Sequence, residues 1–156
     1  MAVDLVEVAR RSDEAVRDAR AELVHAVREA ARQGLAQAQI AALIGRSQPE
    51  VSRLLRFHGR GPLALGLRRH AREVRDLIDQ AGGSNVRVFG SVATGTEHPG
   101  SDIDLLFDMS TPMGLMELGA LERRLSELLG APVDLIPTAA LRPDLRDRVL
   151  AEAVTL

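Results

Sequence analysis

The 156-residue sequence contains no cysteine, tryptophan, tyrosine or lysine, and only three phenylalanines. Without cysteine, neither a disulfide framework nor a thiolate zinc site is possible. No apolar run approaches the ~18 residues that would indicate a transmembrane helix, and the first ten residues carry acids where a secretory signal has basic residues. The hydrophobic content of 46% is enough for a core. We therefore expect a globular cytoplasmic protein that does not bind a membrane.

The net charge of −2 conceals an asymmetry between the two halves of the chain. Residues 1–61 hold 10 arginines and 8 acids, and residues 62–156 hold 10 arginines and 14 acids, so their net charges of +2 and −4 sum to −2. Within residues 46–75 there are eight arginines and only two acids. A local basic excess of this kind is typical of a nucleic-acid-binding surface.

The strongest break in the pattern is the Gly-Arg-Gly-Pro sequence at positions 59–62, where the sign of the charge also changes. Glycine and proline together interrupt regular structure. This break predicts two domains, residues 1–61 and residues 62–156.

The N-terminal domain has the periodicity of α-helices. Alanine and leucine spacing predicts a helix over residues 13–32, with Ser12 as its N-cap and Gly34 just beyond its end. We expect its inner face to consist of four apolar residues: Val16, Leu23, Val27 and Ala30. A shorter helix follows and is ended by Gly45.

The next helix begins with a capping box, in which Ser47 is the N-cap and Glu50 lies three residues on. Two short helices joined by a glycine-led turn predict a helix–turn–helix. The stretch from residue 37 to residue 53 resembles the helix–turn–helix of small bacterial transcriptional regulators. Docking of such motifs in the major groove makes Gln48, Ser52 and Arg53 candidate base readers. Arg46 and Arg56 are candidate phosphate contacts, and a helical hairpin used only for packing or dimerisation is the alternative.

Apolar periodicity in the second domain predicts three helices and three short strands. The expected helices cover residues 63–80, 115–129 and 144–154, and the expected strands cover residues 86–89, 103–107 and 133–136. This order indicates an α+β (α/β) fold with a small mixed sheet.

Acidic residues in two of these strands indicate a metal site. Asp102 and Asp104 are two residues apart, so an extended backbone places both carboxylates on one face. Two such carboxylates repel each other unless a cation lies between them, and Mg²⁺ prefers hard oxygen ligands. Asp134 lies between apolar neighbours in the last strand, and an acid there is costly to bury without a purpose. If that strand pairs beside the Asp102 strand, three carboxylates converge.

The segment before these acids is suited to binding an anion. Glycines at positions 90, 95 and 100 allow backbone N–H groups to approach a phosphate, and the Ser91 hydroxyl adds a donor. The pattern Gly90-Ser91, a spacer with a glycine, and then Ser-Asp-Ile-Asp resembles the nucleotidyltransferase superfamily of DNA polymerase β. The minimal nucleotidyltransferase branch, known from bacterial toxin–antitoxin pairs, is the most similar.

This resemblance implies a role for each matching residue. Asp102, Asp104 and Asp134 would bind two Mg²⁺ ions and catalyse transfer, with Asp134 also helping to activate the attacking hydroxyl. Gly90, Ser91 and Ser101 would bind the triphosphate of ATP or another nucleoside triphosphate. Many relatives have arginine where this chain has Thr94. Without that cation, we expect weaker binding of the triphosphate and lower turnover.

The same resemblance implies an antitoxin that neutralises its cognate toxin, a HEPN-type ribonuclease or similar protein, by transferring AMP to a toxin tyrosine. This chain has no tyrosine, so such an acceptor lies on another molecule. The helix–turn–helix adds operator DNA as a partner and favours a homodimer, or a hetero-oligomer with the toxin. An inactive DNA-binding regulator that neutralises its toxin by direct binding is the alternative. A third possibility is a small-molecule nucleotidyltransferase, although such an enzyme would be expected to carry a further domain for its substrate.

Overall fold

The computed structural model describes residues 4–156. They divide into two compact units, one ending at Leu55 and the other covering Arg56–Leu156. The division falls before the glycine–proline break at which the sequence suggests a boundary. Residues 56–61 fold with the second unit because the Phe57 N–H donates to the Thr155 carbonyl at 2.7 Å and the Phe57 ring is buried in that unit's core.

The first unit consists of three helices: α1 (Leu5–Arg32), α2 (Gln37–Ile44) and α3 (Gln48–Leu55). The predicted start of α1 is wrong, because the cap is Asp4 and not Ser12. The Asp4 carboxylate accepts hydrogen bonds from the N–H groups of Val6 and Glu7 at 3.1 and 3.2 Å. The predicted inner face is wrong at Val16, whose side chain is 66% exposed.

The core of the first unit forms where the three helices meet, from the second half of α1 and from one face each of α2 and α3. Its buried members are Val27, Ile40, Ala41, Val51 and Leu54. Helix α2 ends at Gly45 in the left-handed conformation, with φ of 65°. The predicted capping box of α3 is confirmed, since the Ser47 N–H donates to Glu50 at 2.8 Å and the Glu50 N–H donates to the Ser47 hydroxyl at 3.3 Å.

Besides a short 3₁₀ helix at Thr138–Ala140, the second unit contains five α-helices and four strands. In chain order they are α4 (Pro62–Arg69), α5 (Ala71–Gln80), β1 (Gly83–Phe89), α6 (Gly90–Thr94), β2 (Ile103–Met109), α7 (Leu115–Leu129), β3 (Val133–Pro137), α8 (Pro143–Glu152) and β4 (Val154–Thr155). The prediction of one helix over residues 63–80 is wrong, because the chain breaks at His70. The short elements α6 and β4 were not predicted. None of the helices in residues 4–156 combines the length and apolar character needed to cross a bilayer.

The four strands form one mixed sheet in the order β3-β2-β1-β4. Strand β1 is antiparallel to β2 and β4, whereas β2 and β3 are parallel. Alternate side chains of β2, such as Leu105 and Phe107, join the main core with α5 and α7. On the opposite face, Leu106 packs with Phe89 and with Val149 of α8. The α+β fold class with a helical N-terminal region and a small mixed sheet is confirmed.

Candidate active site

The parallel pairing of β2 with β3 brings two predicted acids together. Asp104 and Asp134 are register partners in these strands, and Phe89 of β1 is the partner of Asp104 on its other side. Asp102 lies one residue before β2, where the same alternation directs it to the same face. The pairing on which convergence of the three acids depends is therefore present, and the acids share the sheet face that α8 covers.

The carboxylate of Asp104 is the most perturbed titratable group of this face. Burial in the first place, and then the neighbouring carboxylates of Asp134, Asp102 and Glu152, together raise its pKa to about 6. Glu152 is the last residue of α8. Sequence reasoning did not find Glu152, because only the packing of α8 on the sheet brings it near Asp104. Three other acids thus act on Asp104, on the sheet face opposite the main core.

Asp108 shows the opposite electrostatic situation on the same strand. Thr138 and Asn85 donate hydrogen bonds to its carboxylate at 2.6 and 2.9 Å, and Arg87 lies at 2.7 Å. These hydrogen bonds, together with the charge of Arg87, lower the pKa of Asp108. Asp108 is therefore a structural acid with compensated charge, whereas Asp104 is not compensated by a neighbouring cation in this way.

The predicted phosphate-binding glycine lies directly against the acids. Strand β1 passes into α6 through Gly90, whose φ is 70°. A Cβ atom at this position would collide with the carboxylate of Asp104. Only glycine combines this conformation with such a close approach. The structure thereby brings the start of the predicted cradle and the paired acids into contact.

The remaining cradle residues are held by local hydrogen bonds. The carbonyl of Ser91 accepts a bond from the Thr96 N–H at 3.0 Å. Ser101 is 8% exposed, and its hydroxyl accepts a bond from the His98 N–H at 2.9 Å. The hydroxyl of Thr94 donates to the Gly90 carbonyl at 3.1 Å. Ser101 therefore shapes the turn before Asp102, and Thr94 is tied to the backbone of α6.

The acids on this face are candidate ligands for a divalent cation. Among residues 4–156 there is no group of three or more histidine or acidic side chains arranged to hold a metal ion on their own. Mg²⁺ commonly binds one or two protein carboxylates and completes its shell with water and substrate phosphates. The raised pKa of Asp104 reflects burial first and neighbouring carboxylates second, and both disfavour its charged form. The donor set fits an ion that arrives with a triphosphate.

The candidate DNA-binding residues fall in and around α3. Gln48 and Arg53 are exposed and Ser52 is half-buried on this helix, while Arg46 is exposed in the turn before it. Arg56 lies immediately after the helix, in the second unit. The buried face of α3 is formed by Val51 and Leu54, so the candidate readers lie off that face.

Three features define the fold of a nucleotidyltransferase. They are the mixed sheet, the glycine that contacts an acid of the paired strands, and the short helix that begins at this glycine. The sequence profile of the nucleotidyltransferase domain matches residues 67–156, more than half of the chain. The chain belongs to this family, and residues 67–156 form a nucleotidyltransferase domain of the minimal type.

Relatives of this domain occur among named archaeal proteins. A candidate protein adenylyltransferase of Methanocaldococcus jannaschii, MJ0435, is 34% identical over 53% of this chain and 89% of its own length. The protein adenylyltransferase MntA of Thermococcus cleftensis is 34% identical over 51% of this chain and 81% of its own length.

Solved structures have the same architecture. A candidate minimal nucleotidyltransferase matches with a TM-score of 0.55 and 37% identity, over 64% of this chain and 100% of its own. A toxin–antitoxin structure with AMP-PNP matches with a TM-score of 0.50 over 54% of this chain and 69% of its own. Its identity of 22% shows a shared fold.

Proposed function

We propose that this nucleotidyltransferase is an antitoxin that transfers AMP from ATP to its cognate toxin. The observation that carries the proposal is the register of Asp104 with Asp134, with Gly90 against the same carboxylate. Two relatives are named as protein adenylyltransferases, and this supports a protein as the acceptor of the AMP group. A HEPN-type ribonuclease is the toxin class we expect.

The proposed reaction is attack by an acceptor hydroxyl on the α-phosphate. An oxygen–phosphorus bond forms, the bond to the β-phosphate breaks, and pyrophosphate leaves in line with the attack. Exposed Asp134 takes the proton of the hydroxyl. The backbone of Gly90 and the hydroxyl of Ser91 orient the triphosphate, because glycine permits close approach of N–H donors to an anion.

Asp102, Asp104 and Asp134 are the residues that would hold Mg²⁺, with two ions expected. Bound there, the metal would neutralise charge that develops on the phosphates. The chain's own contribution is to fix these carboxylates on neighbouring strands, where the parallel ladder determines their spacing. Positioning and electrostatic stabilisation together account for most of the catalysis of phosphoryl transfer.

Transfer of label from α-³²P-ATP to the purified product of the adjacent gene, in the presence of Mg²⁺, tests the proposal. We expect labelling by the wild type and none by the double variant Asp102→Asn, Asp104→Asn. Asp147→Asn is the matched control, because Asp147 is an exposed acid on α8. Equal labelling or equal neutralisation of the partner by the double variant would contradict the enzymatic mechanism.

The same experiment tests the alternative, in which an inactive regulator silences its toxin by contact. Thr94 is the residue that favours this alternative, since its hydroxyl is bound to the backbone of α6 and supplies no positive charge to a triphosphate. Neutralisation without any transferred label, by wild type and double variant alike, is the result that would establish it.

We also propose that residues 1–61 include a DNA-binding module through which the protein represses its own operon as a dimer. Support comes from residues 46–61, which hold four arginines and one acid, and from the exposed side chains of Gln48 and Arg53 on α3. Two half-sites are usually read by two copies of such a helix. The protein would then couple control of its own expression to modification of its partner.

Binding to a promoter fragment tests the DNA-binding proposal. Arg53→Ala should weaken specific binding at least about tenfold, as expected when a base-reading arginine is removed. Arg20→Ala is the control, because Arg20 is an exposed arginine of α1 outside the predicted motif. Affinity for the promoter that equals affinity for random DNA at the same salt concentration would rule out the repressor role.

A further inference from the structure

The loop between the phosphate cradle and the acids is attached to a distant helix by one carboxylate. The Leu63 N–H donates to Glu97 Oε2 at 2.9 Å, and the Ala64 N–H donates to Glu97 Oε1 at 3.3 Å. Both donors are in the first turn of α4. Glu97 lies more than thirty positions away in the sequence, in the segment that joins α6 to β2. This pair of bonds, which we call the Glu97 clamp, therefore connects two separate elements of the second unit.

The Glu97 clamp provides hydrogen-bond acceptors for the first N–H groups of α4. The first amides of a helix have no partner within the helix, and a side chain at the N-cap usually accepts from them. The N-cap here is Gly61, which has no side chain, and Pro62 at the first position has no N–H. Glu97 takes the place of the missing cap. Its negative charge is also favoured at the positive end of the helix dipole.

Gly61 is required at this position by the same carboxylate. A Cβ atom there would collide with the carboxylate group of Glu97 and would lie 2.8 Å from its Cγ atom. The backbone conformation is not the reason, because Gly61 has φ of −65° and ψ of 166°, which any residue adopts. An alanine at position 61 would therefore push Glu97 off the helix without straining the main chain.

The clamped loop has a functional neighbour at each end. Before Glu97, α6 ends at Gly95, and the Thr96 N–H bonds back to the carbonyl of Ser91. After it, buried Ser101 directly precedes Asp102. The position of Glu97 thus bears on both the triphosphate cradle and the first of the paired acids.

We propose that Glu97 is a positioning residue for nucleotide binding. By capping α4 it holds loop 95–101 so that the cradle and Asp102 keep a fixed separation before ATP arrives. The inference rests on the proposed use of a nucleoside triphosphate, and it adds to the determinants of affinity a spacer residue to which the motif assigns no role. Charge-assisted hydrogen bonds are strong, and small displacements of binding groups reduce function substantially.

Two measurements on the full chain test the clamp. The dissociation constant of the fluorescent analogue MANT-ATP with Mg²⁺ reports nucleotide binding, and hydrogen exchange of loop 95–101 reports its order without any ligand. We expect Glu97→Ala to raise the dissociation constant about tenfold and to speed exchange of the loop amides. Glu97→Gln keeps one of the two acceptor oxygens and loses the charge, so it should fall between Glu97→Ala and the wild type.

Glycine variants provide a second, independent route to the same result. Gly61→Ala should reproduce the effect of Glu97→Ala, whereas Gly66→Ala should bind like the wild type, since a Cβ at Gly66 meets nothing within 4 Å. The double variant of Gly61 and Glu97 should be no worse than Glu97→Ala, because the collision disappears with the carboxylate. Strict additivity of the two effects would overturn the proposed contact.

The remaining outcomes separate the clamp from the wider function. A lower melting temperature in Glu97→Ala, with unchanged affinity and loop exchange, would make Glu97 merely structural and refute its positioning role. No binding of MANT-ATP by the wild type would overturn the proposed function. If the wild type binds no MANT-ATP, hydrogen exchange still tests the clamp. Unchanged exchange of the loop 95–101 amides in Glu97→Ala would then overturn the clamp as well. Faster exchange would show that the Glu97 clamp orders the loop.

Discussion

Replacement of Asp104 by asparagine should stabilise the protein in the absence of metal, although it removes a proposed catalytic group. The folded-state pKa of Asp104 is about 6, against an ordinary value of 3.8. Folding therefore favours the protonated form of this acid. Below pH 3.8 both states are protonated and the carboxyl causes no penalty. Between pH 3.8 and about 6 the unfolded chain releases the proton first, so stability falls as pH rises, and above about pH 6 the penalty is complete.

The size of this effect follows from the two pKa values. Each pKa unit corresponds to about 1.4 kcal/mol, so the difference between 3.8 and about 6 sets an upper limit of about 3 kcal/mol. Because Asp104 is only half-buried, solvent screens part of this energy, and we expect about 1–2 kcal/mol. Asparagine has nearly the same shape and no charge. The free energy of unfolding of Asp104→Asn should exceed that of the wild type by this amount at neutral pH.

Urea unfolding followed by far-UV circular dichroism is the suitable assay, since the chain lacks tryptophan and tyrosine for fluorescence. The advantage of Asp104→Asn should shrink towards zero as the pH is lowered from 7.5 to 4. Asp147→Asn should show no comparable pH-dependent gain. Added Mg²⁺ should stabilise the wild type more than Asp104→Asn. A variant less stable than the wild type at pH 7.5, or a difference independent of pH, would refute the proposed cost of burying this carboxylate among other acids.

Two further predictions concern Thr94 and the cap of α3. Thr94→Arg should lower the dissociation constant of MANT-ATP several-fold, because it adds a cation beside the cradle, and unchanged or weaker binding would show that the backbone bond of Thr94 matters more. Ser47→Ala should reduce the free energy of unfolding of the first unit by about 1 kcal/mol, through loss of the bond to the Glu50 N–H. Calorimetry checks the second prediction, with no effect expected on MANT-ATP binding.

Local signals predicted the elements whose ends are determined by neighbouring residues. Helix α7 covers residues 115–129 as expected, because Gly130 takes the left-handed conformation that ends it. The capping box of Ser47 and Glu50 was equally readable. By contrast, Ser12 is of a residue type that often caps helices, yet it lies within α1. There the Arg10 side chain forms ion pairs with Glu7 and Glu14 at 2.7 and 2.6 Å, and these pairs stabilise a continuous helix.

Elements that depend on distant contacts were not predicted. Strand β4 has two residues, and its pairing relies on β1 and on the Phe57 N–H from a remote part of the chain. The break at His70 interrupts an apolar periodicity that continues on both sides of it. The Glu97 clamp and the approach of Glu152 to Asp104 are also long-range. Spacing along the sequence carries no information about any of these contacts.

The acids of β2 show why the central residues of the site could nevertheless be predicted from the sequence. Asp104 and Asp108 are on one strand and one face, but Asp108 has Arg87 and Thr138 beside it, whereas Asp104 has other carboxylates. Uncompensated charge of this kind opposes folding, and it persists where surrounding packing determines the structure. Leu106 and Phe89 provide that packing on the same face. Burial among other acids makes the charged form of Asp104 unfavourable, and a cation with a bound triphosphate would stabilise that form, as the proposed role of Asp104 requires.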